Sequence, residues 1–205
     1  MKRFVHEPAG APRAGMALFH GAGSNCEAPL MVAVAEAFRA AGFLVLREDL
    51  AFRQAGASGP PRGNGQADRE GIRRAAEEVR RLAPGAPLCL AGHSYGGRQC
   101  SMVAAEDAAA EDAAAADALM LLSYPLHPPG KPEQLRTGHF AALRTPALFV
   151  HGTRDPFGSI AEMEAALKTI PGVHVLITLA GEGHGIKPKL AVSLPERLSA
   201  MMKLI

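Results

Sequence analysis

The sequence predicts an α/β fold: a mostly parallel sheet of about six to seven strands, helices on both faces, and minimal or no lid. Three observations lead there. Short apolar runs alternate with segments of helical period along the chain. The runs are continuously apolar, as strands buried on both faces require. Glycine and proline clusters punctuate the joins. Strands alternating with helices build a parallel sheet covered on both sides.

The elements follow in order. Residues 16–20 (MALFH) read as a strand ended by Gly21-Ala22-Gly23. A helix is expected over 28–41. Pro29 suits its first turn, Leu30, Val34, Ala37, Phe38 and Ala41 share a face, and Gly42 closes it. Residues 43–47 form the next strand, and 49–65 hold too many breakers for a regular element. Asp68 opens an amphipathic helix to about residue 82, with Ile72, Ala76, Val79 and Leu82 as its stripe. Residues 88–91 are a strand, and a helix begins after Ser94. The alanine-rich stretch 104–118 reads as the end of that helix plus a solvated connection. Further strands are expected at 119–122, 147–151 and 173–179, and a helix at 160–169. Residues 123–138 make a proline-rich loop. A C-terminal helix closes the chain, with Ser193 and Glu196 placed as a capping box.

Length sets one domain over residues 1–205. With 48% hydrophobic and 20% charged residues, the chain reads as an ordinary globular protein. A formal net charge of +2 is too weak to argue for nucleic-acid or membrane partners, and none is expected. Three unevenly spaced cysteines, Cys26, Cys89 and Cys100, are no disulfide framework. The N-terminus has no apolar stretch after its basic residues, and no apolar run reaches membrane-spanning length. The expectation is a cytoplasmic monomer or homodimer acting on a small-molecule substrate, with no cofactor and no metal.

Gly92-His93-Ser94-Tyr95-Gly96 matches G-x-S-x-G. The pattern is short, and its context gives it weight, because a strand precedes it and a helix can follow. In such a turn the backbone at Ser94 is strained, and side chains at 92 and 96 would clash with their surroundings. His93 should point away from the serine as a buried structural residue. A serine hydroxyl needs a base, and the base needs an orienting carboxylate. In chain order after the serine, Asp155 follows the 147–151 strand and His184 lies in the glycine-flanked loop after the last strand. His127 and His139 precede Asp155, His6 and His20 precede Ser94, and His174 falls at a strand start. Two backbone N–H groups should receive the oxyanion: Tyr95, after the nucleophile, and Ala22, in the loop after the first strand. That loop lacks the features of a nucleotide-binding motif.

Four segments together carry a family resemblance: His20-Gly21-Ala22-Gly23, Ala91-Gly92-His93-Ser94-Tyr95-Gly96-Gly97-Arg98, the run from Ser123 to Pro132 (SYPLHPPGKP), and Gly152-Thr153-Arg154-Asp155-Pro156-Phe157-Gly158. Over nearly its whole length the chain resembles the small α/β hydrolases related to dienelactone hydrolase. More narrowly, it is similar to a subgroup of bacterial predicted hydrolases with testis-expressed and chromatin-complex animal relatives. The resemblance implies the α/β-hydrolase fold and a triad on Ser94, Asp155 and His184. Dienelactone hydrolase has a cysteine at the elbow where this chain has Ser94, so its chemistry is not carried over. The connection over 104–118 is longer than is usual in the subgroup.

No segment between 122 and 147 is long enough for a helical lid. Tyr124, Leu126 and His127 are the candidate pocket residues, because their loop follows a strand at the catalytic edge. Arg47, Arg53, Arg98 and Arg154 are possible anion contacts, with ordinary structural roles the simpler account. The expected activity is hydrolysis of a small ester, thioester or amide through an acyl-enzyme. The alternative is a non-catalytic interaction protein that retains the fold.

Overall fold

Side-chain alternation along the strands decides how the layers form. In β2 (Ala14–Phe19), Met16 and Leu18 join one apolar cluster, and Ala17 and Phe19 join the other. The same split recurs in β3 (Phe43–Glu48), β4 (Leu88–His93), β5 (Ala118–Leu122) and β6 (Ala147–Gly152). A strand that buries both faces needs helices on both sides. The computed structural model describes residues 2–56, 59–110 and 116–202.

With β1 (Arg3–His6) and β7 (His174–Leu179), these strands form one seven-stranded sheet in the order β1-β3-β2-β4-β5-β6-β7. All neighbours pair parallel except β1, which runs antiparallel along β3, with Arg3 opposite Glu48. The short, half-exposed run RFVH carries too little apolar pattern to stand out in the sequence. It is held as an edge by the ladder and by Arg3 Nε donating to Glu48 at 2.7 Å.

Helix α1 (Pro29–Ala40) and the C-terminal α6 (Leu194–Met202) cover one face. The former buries Met31, Val34, Ala35 and Phe38, and the latter Leu198 and Met201. Phe38 meets Phe43 edge-on at 5.0 Å. Gly42, at φ +88°, closes α1 in the left-handed region, where a side chain would be strained. On the other face lie α3 (Gln66–Leu82), α4 (Tyr95–Ala109) and α5 (Ile160–Leu167). Arg69 and Arg73 of α3 pair with Glu106 of α4, and Arg73 also pairs with Asp107. Fully burying each large apolar side chain contributes ~1.5–3 kcal/mol, so the two clusters hold the sandwich of layers together.

Several expectations shift. The breaker-rich 49–65 stretch includes a short helix, α2 (Ala51–Gln54), because Arg53 and Gln54 donate back to the Leu50 carbonyl. The α3 helix starts at Gln66, and Asp68 instead accepts from the Phe52 N–H. No capping box forms at Ser193, whose hydroxyl donates to the Leu190 carbonyl at the end of a 3-10 turn (Pro188–Ser193). The capping box lies at α5, where Ser159 and Glu162 exchange bonds. Helix α4 runs to Ala109, and part of the 104–118 expectation falls on 111–115, outside the described residues.

Candidate active site

The chain runs from β2 outward to β3, then returns to β4 on the other side of β2. Loops at the carboxyl ends of such adjacent strands diverge and leave a crevice. The loop after β2 carries Ala22, and the turn after β4 carries Ser94. Asp155 follows β6 and His184 follows β7, so four strand ends converge on one place.

The turn at Ser94 is sharp. Its backbone sits at φ 52°, ψ −117°, and such a non-glycine conformation costs ~1–3 kcal/mol. The surroundings hold it there. Ser94 N–H donates to the Leu122 carbonyl of β5 at 2.8 Å, and Arg98 N–H donates to the Ser94 carbonyl at 2.9 Å. A Cβ at Gly92 would lie 2.4 Å from the Gly97 nitrogen, and one at Gly96 2.5 Å from the His20 carbonyl oxygen. Glycine at both positions lets strand, turn and helix approach this closely.

The structure brings the three predicted side chains together. Ser94 Oγ is 2.7 Å from His184 Nε2. His184 Nδ1 is 2.9 and 3.0 Å from the two Asp155 oxygens. The Asp155 side chain is fully buried, and one of its oxygens also accepts from the Phe157 N–H at 2.9 Å. With Nδ1–H donating to Asp155, His184 Nε2 is free to accept the serine proton. The Phe157 ring stacks on His184 at 4.0 Å and covers one side of the imidazole.

Around this core sit histidines of a structural kind. His93 Nε2–H donates to the His184 carbonyl at 2.8 Å, and burial lowers its pKa. His20 donates from Nδ1 to the Gly21 carbonyl and accepts at Nε2 from the Leu50 N–H, which makes it neutral. Burial lowers its pKa in the same sense. His151 donates from Nε2 to the Gly158 carbonyl, holding the loop that carries Asp155.

Ala22 and Tyr95, the candidate oxyanion residues, line the same cavity. Tyr95 opens α4, where its N–H has no intrahelical acceptor. Its phenol turns away and donates to Asp68 at 2.7 Å, and burial raises its pKa. The Ala22 loop is tied from outside, because Arg53 donates to the carbonyls of Ala22 at 2.9 Å and Ser24 at 3.0 Å. Arg53 is thus a strut, and Arg47 is another: it donates to the Cys26 carbonyl and to His6. Arg154 is exposed and lines no part of the cavity.

The cavity measures about 620 Å³ and is lined by Ala22, Ser94, Tyr95, Phe157 and His184 among others. Tyr124, Leu126 and His127 do not reach it. Tyr124 and Leu126 are buried in the apolar cluster, Tyr124 against Phe140 and Phe149. His127 is buried too, with its Nε2 3.6 Å from Glu162 at the start of α5. The positive φ of Ser123 (48°) turns the chain inward, and Pro125 faces the cavity instead. Arg136, at the far end of the same loop, is a lining residue that the sequence reading missed. Among the described residues, no group of His, Cys, Asp and Glu side chains is arranged to hold a metal ion.

A family model for the alpha/beta hydrolase domain matches residues 12–202. The chain belongs to the α/β-hydrolase family. Solved structures agree on the fold. TT1662 from Thermus thermophilus is similar at 23% identity and a TM-score of 0.74, over 98% of this chain and 93% of that one. XC6422 from Xanthomonas campestris, described as an a/b serine hydrolase without lid, is similar at 20% identity and a TM-score of 0.70, over 98% and 88%. Dienelactone hydrolase from Anabaena variabilis is similar at 22% identity and a TM-score of 0.69, over 98% and 87%. No curated protein matches the chain. In this α/β hydrolase, as in the lidless relative's description, no helical insertion stands over the site among the described residues. No helix among them is long and apolar enough to cross a membrane.

Proposed function

We propose that this α/β hydrolase is a serine hydrolase that cleaves a small ester, thioester or amide through an acyl-enzyme. The reading rests on one observation: the unbroken relay from Ser94 Oγ through His184 to the buried Asp155. Ser94 attacks the substrate carbonyl and gives its proton to His184 Nε2. The buried carboxylate of Asp155 holds the imidazole in the accepting tautomer and stabilises the imidazolium that forms. The oxyanion of the tetrahedral intermediate receives the N–H groups of Ala22 and Tyr95, each such donor being worth ~3 kcal/mol. The leaving group departs with the proton from His184, which leaves acyl-Ser94. Water, activated by the same histidine, then releases the acid.

The open cavity, without a helical cover, favours small or solvent-accessible substrates. The three cysteines are buried and free, which suits a reducing compartment such as the cytoplasm. A fluorophosphonate probe should label wild-type protein, and Ser94→Ala should abolish the label. Wild-type protein that stays unlabelled beside a labelled control esterase would end the proposal.

A further inference from the structure

We propose that Arg98 and Arg136 form an anion subsite in the cavity beside Ser94, so that the substrate carries an oxyanion group, a carboxylate or a phosphate. The inference builds on the hydrolase reading by naming a class of substrate for the same site.

Both arginines line the cavity that contains Ser94, Phe157 and His184. Arg98 lies one helical turn beyond Ser94 on α4, bonded through its backbone to the Ser94 carbonyl. Arg98 stands in the first turns of α4, and it lines the same cavity as Ser94. Arg136 comes from the proline-rich loop after β5. Its backbone is held twice: its N–H donates to the Leu126 carbonyl at 2.8 Å, and its carbonyl accepts from the Tyr124 hydroxyl at 2.7 Å. The buried Tyr124 and Leu126 therefore serve the site indirectly, by fixing where Arg136 stands.

Neither guanidinium is neutralised. Among the described residues, Arg3, Arg39, Arg69, Arg73 and Arg81 all have carboxylate partners, whereas Arg98 and Arg136 have none. Arg98 Nε is buried without a hydrogen-bond partner. Nearby acids are already engaged: Glu106 holds Arg69 and Arg73, Asp68 holds Tyr95 and Phe52, and Asp155 holds His184. The pKa of Arg136 is lowered, first by burial and then by the positive charge of Arg98. Two like charges are thus kept near one another and partly out of water, which costs energy in the free protein. An anion between them offsets that cost, and guanidinium matches the planar oxygens of carboxylate and phosphate.

The test has a kinetic arm and a binding arm. The kinetic arm compares the mono-4-nitrophenyl ester of adipic acid with neutral 4-nitrophenyl hexanoate. Wild-type kcat/KM should favour the anionic ester by about 10-fold or more at low salt, and the preference should shrink as salt rises. Arg98→Gln and Arg136→Gln should each collapse that ratio towards one, mainly through KM. Arg98→Lys should retain part of it.

The binding arm uses Ser94→Ala protein, titrated with adipate and separately with inorganic phosphate by calorimetry. This arm reports on the subsite even if neither ester is turned over, so its result stands apart from that of the probe labelling. Binding of either anion that is lost on Arg136→Gln supports the subsite, and the tighter anion identifies its source. No binding of either anion, or a wild-type ester ratio that survives both Gln variants in folded protein, overturns it.

Discussion

Replacing Arg53 should slow the reaction without the side chain touching substrate. Arg53 Nε and Nη2 donate to the carbonyls of Ser24 and Ala22, and its guanidinium carbon lies 5.0 Å over the Phe52 ring. These bonds brace the loop that carries Ala22, the proposed oxyanion donor. Losing an oxyanion donor outright costs ~2.7–4 kcal/mol. In Arg53→Ala the loop keeps other restraints, among them the His20 bond to the Gly21 carbonyl, the Ser24 N–H bond to the same oxygen and the Arg47 bond to the Cys26 carbonyl. A loosened donor should therefore forfeit part of its worth, about 1–2 kcal/mol, or roughly 5- to 30-fold in kcat. KM should change little, because the loss falls on the transition state. Lysine at 53 cannot bridge two carbonyls with a fork, so Arg53→Lys should recover only part of the rate. The assay is steady-state turnover of a neutral ester beside a thermal melt, where each kcal/mol is ~2–4 °C for a chain of this size. An Arg53→Ala protein with wild-type kcat, or one whose whole loss lies in KM, would refute the argument that this strut holds the donor.

Other outcomes follow from the same geometry. Gly96→Ala sets a Cβ 2.5 Å from the His20 carbonyl oxygen and 2.9 Å from Phe19 backbone atoms. None of these can rotate away, so stability should fall by ~1–3 kcal/mol, seen as a lower urea midpoint at unchanged slope; an unchanged midpoint counts against it. Asp155→Asn should keep the fold and lower kcat by roughly 10³–10⁴-fold, because an amide favours the wrong histidine tautomer; a variant within 10-fold of wild type would contradict the relay. His139 donates to the Ser101 hydroxyl, and burial, then the charge of Arg98, push its pKa down to about 4. The folded protein then binds that proton more weakly than the unfolded chain, so the contribution is complete above pH 6.5 and is lost as pH falls from 6.5 towards 4. Up to about 3 kcal/mol is at stake over that window. The difference in urea stability between wild type and His139→Gln should move by this much between pH 7 and pH 4; a constant difference would refute it.

Local signals explain what the sequence disclosed. The elbow at Ser94 is legible because its glycines and its strand-turn-helix context lie within a few residues. The meeting of Asp155 and His184 with Ser94 is legible because the proposed chemistry imposes an order along the chain, and each sits in a loop just past an apolar run. Tyr124, Leu126 and His127 were misplaced because adjacency to a catalytic strand end does not say which way a loop turns. The positive φ at Ser123 and the packing of Tyr124 against two phenylalanines decide that only in three dimensions. Arg136 is invisible for a related reason: it stands far along the chain from Ser94, within no motif, and a fold-back held by Leu126 brings it to the cavity. Strand β1 was missed because four half-exposed residues need the long β3 ladder to become a strand at all. The Ser193 cap failed because a serine that can bond back to a preceding carbonyl has an alternative to capping the next helix.

The pairing of His93 with Leu122 across β4 and β5, and of Gly152 with Leu179 across β6 and β7, has a consequence for how this protein is monitored. Ser94 follows the first of these rungs, and the loops that carry Asp155 and His184 both leave from the second. A slip of one residue in any of these pairings displaces a reacting atom by ~3.3 Å, further than any hydrogen bond in the relay can stretch. On the proposed mechanism, turnover is therefore a gauge of strand alignment. A preparation in which the sheet has formed but a single strand sits one step out of place would look folded by spectroscopy and be silent in the assay.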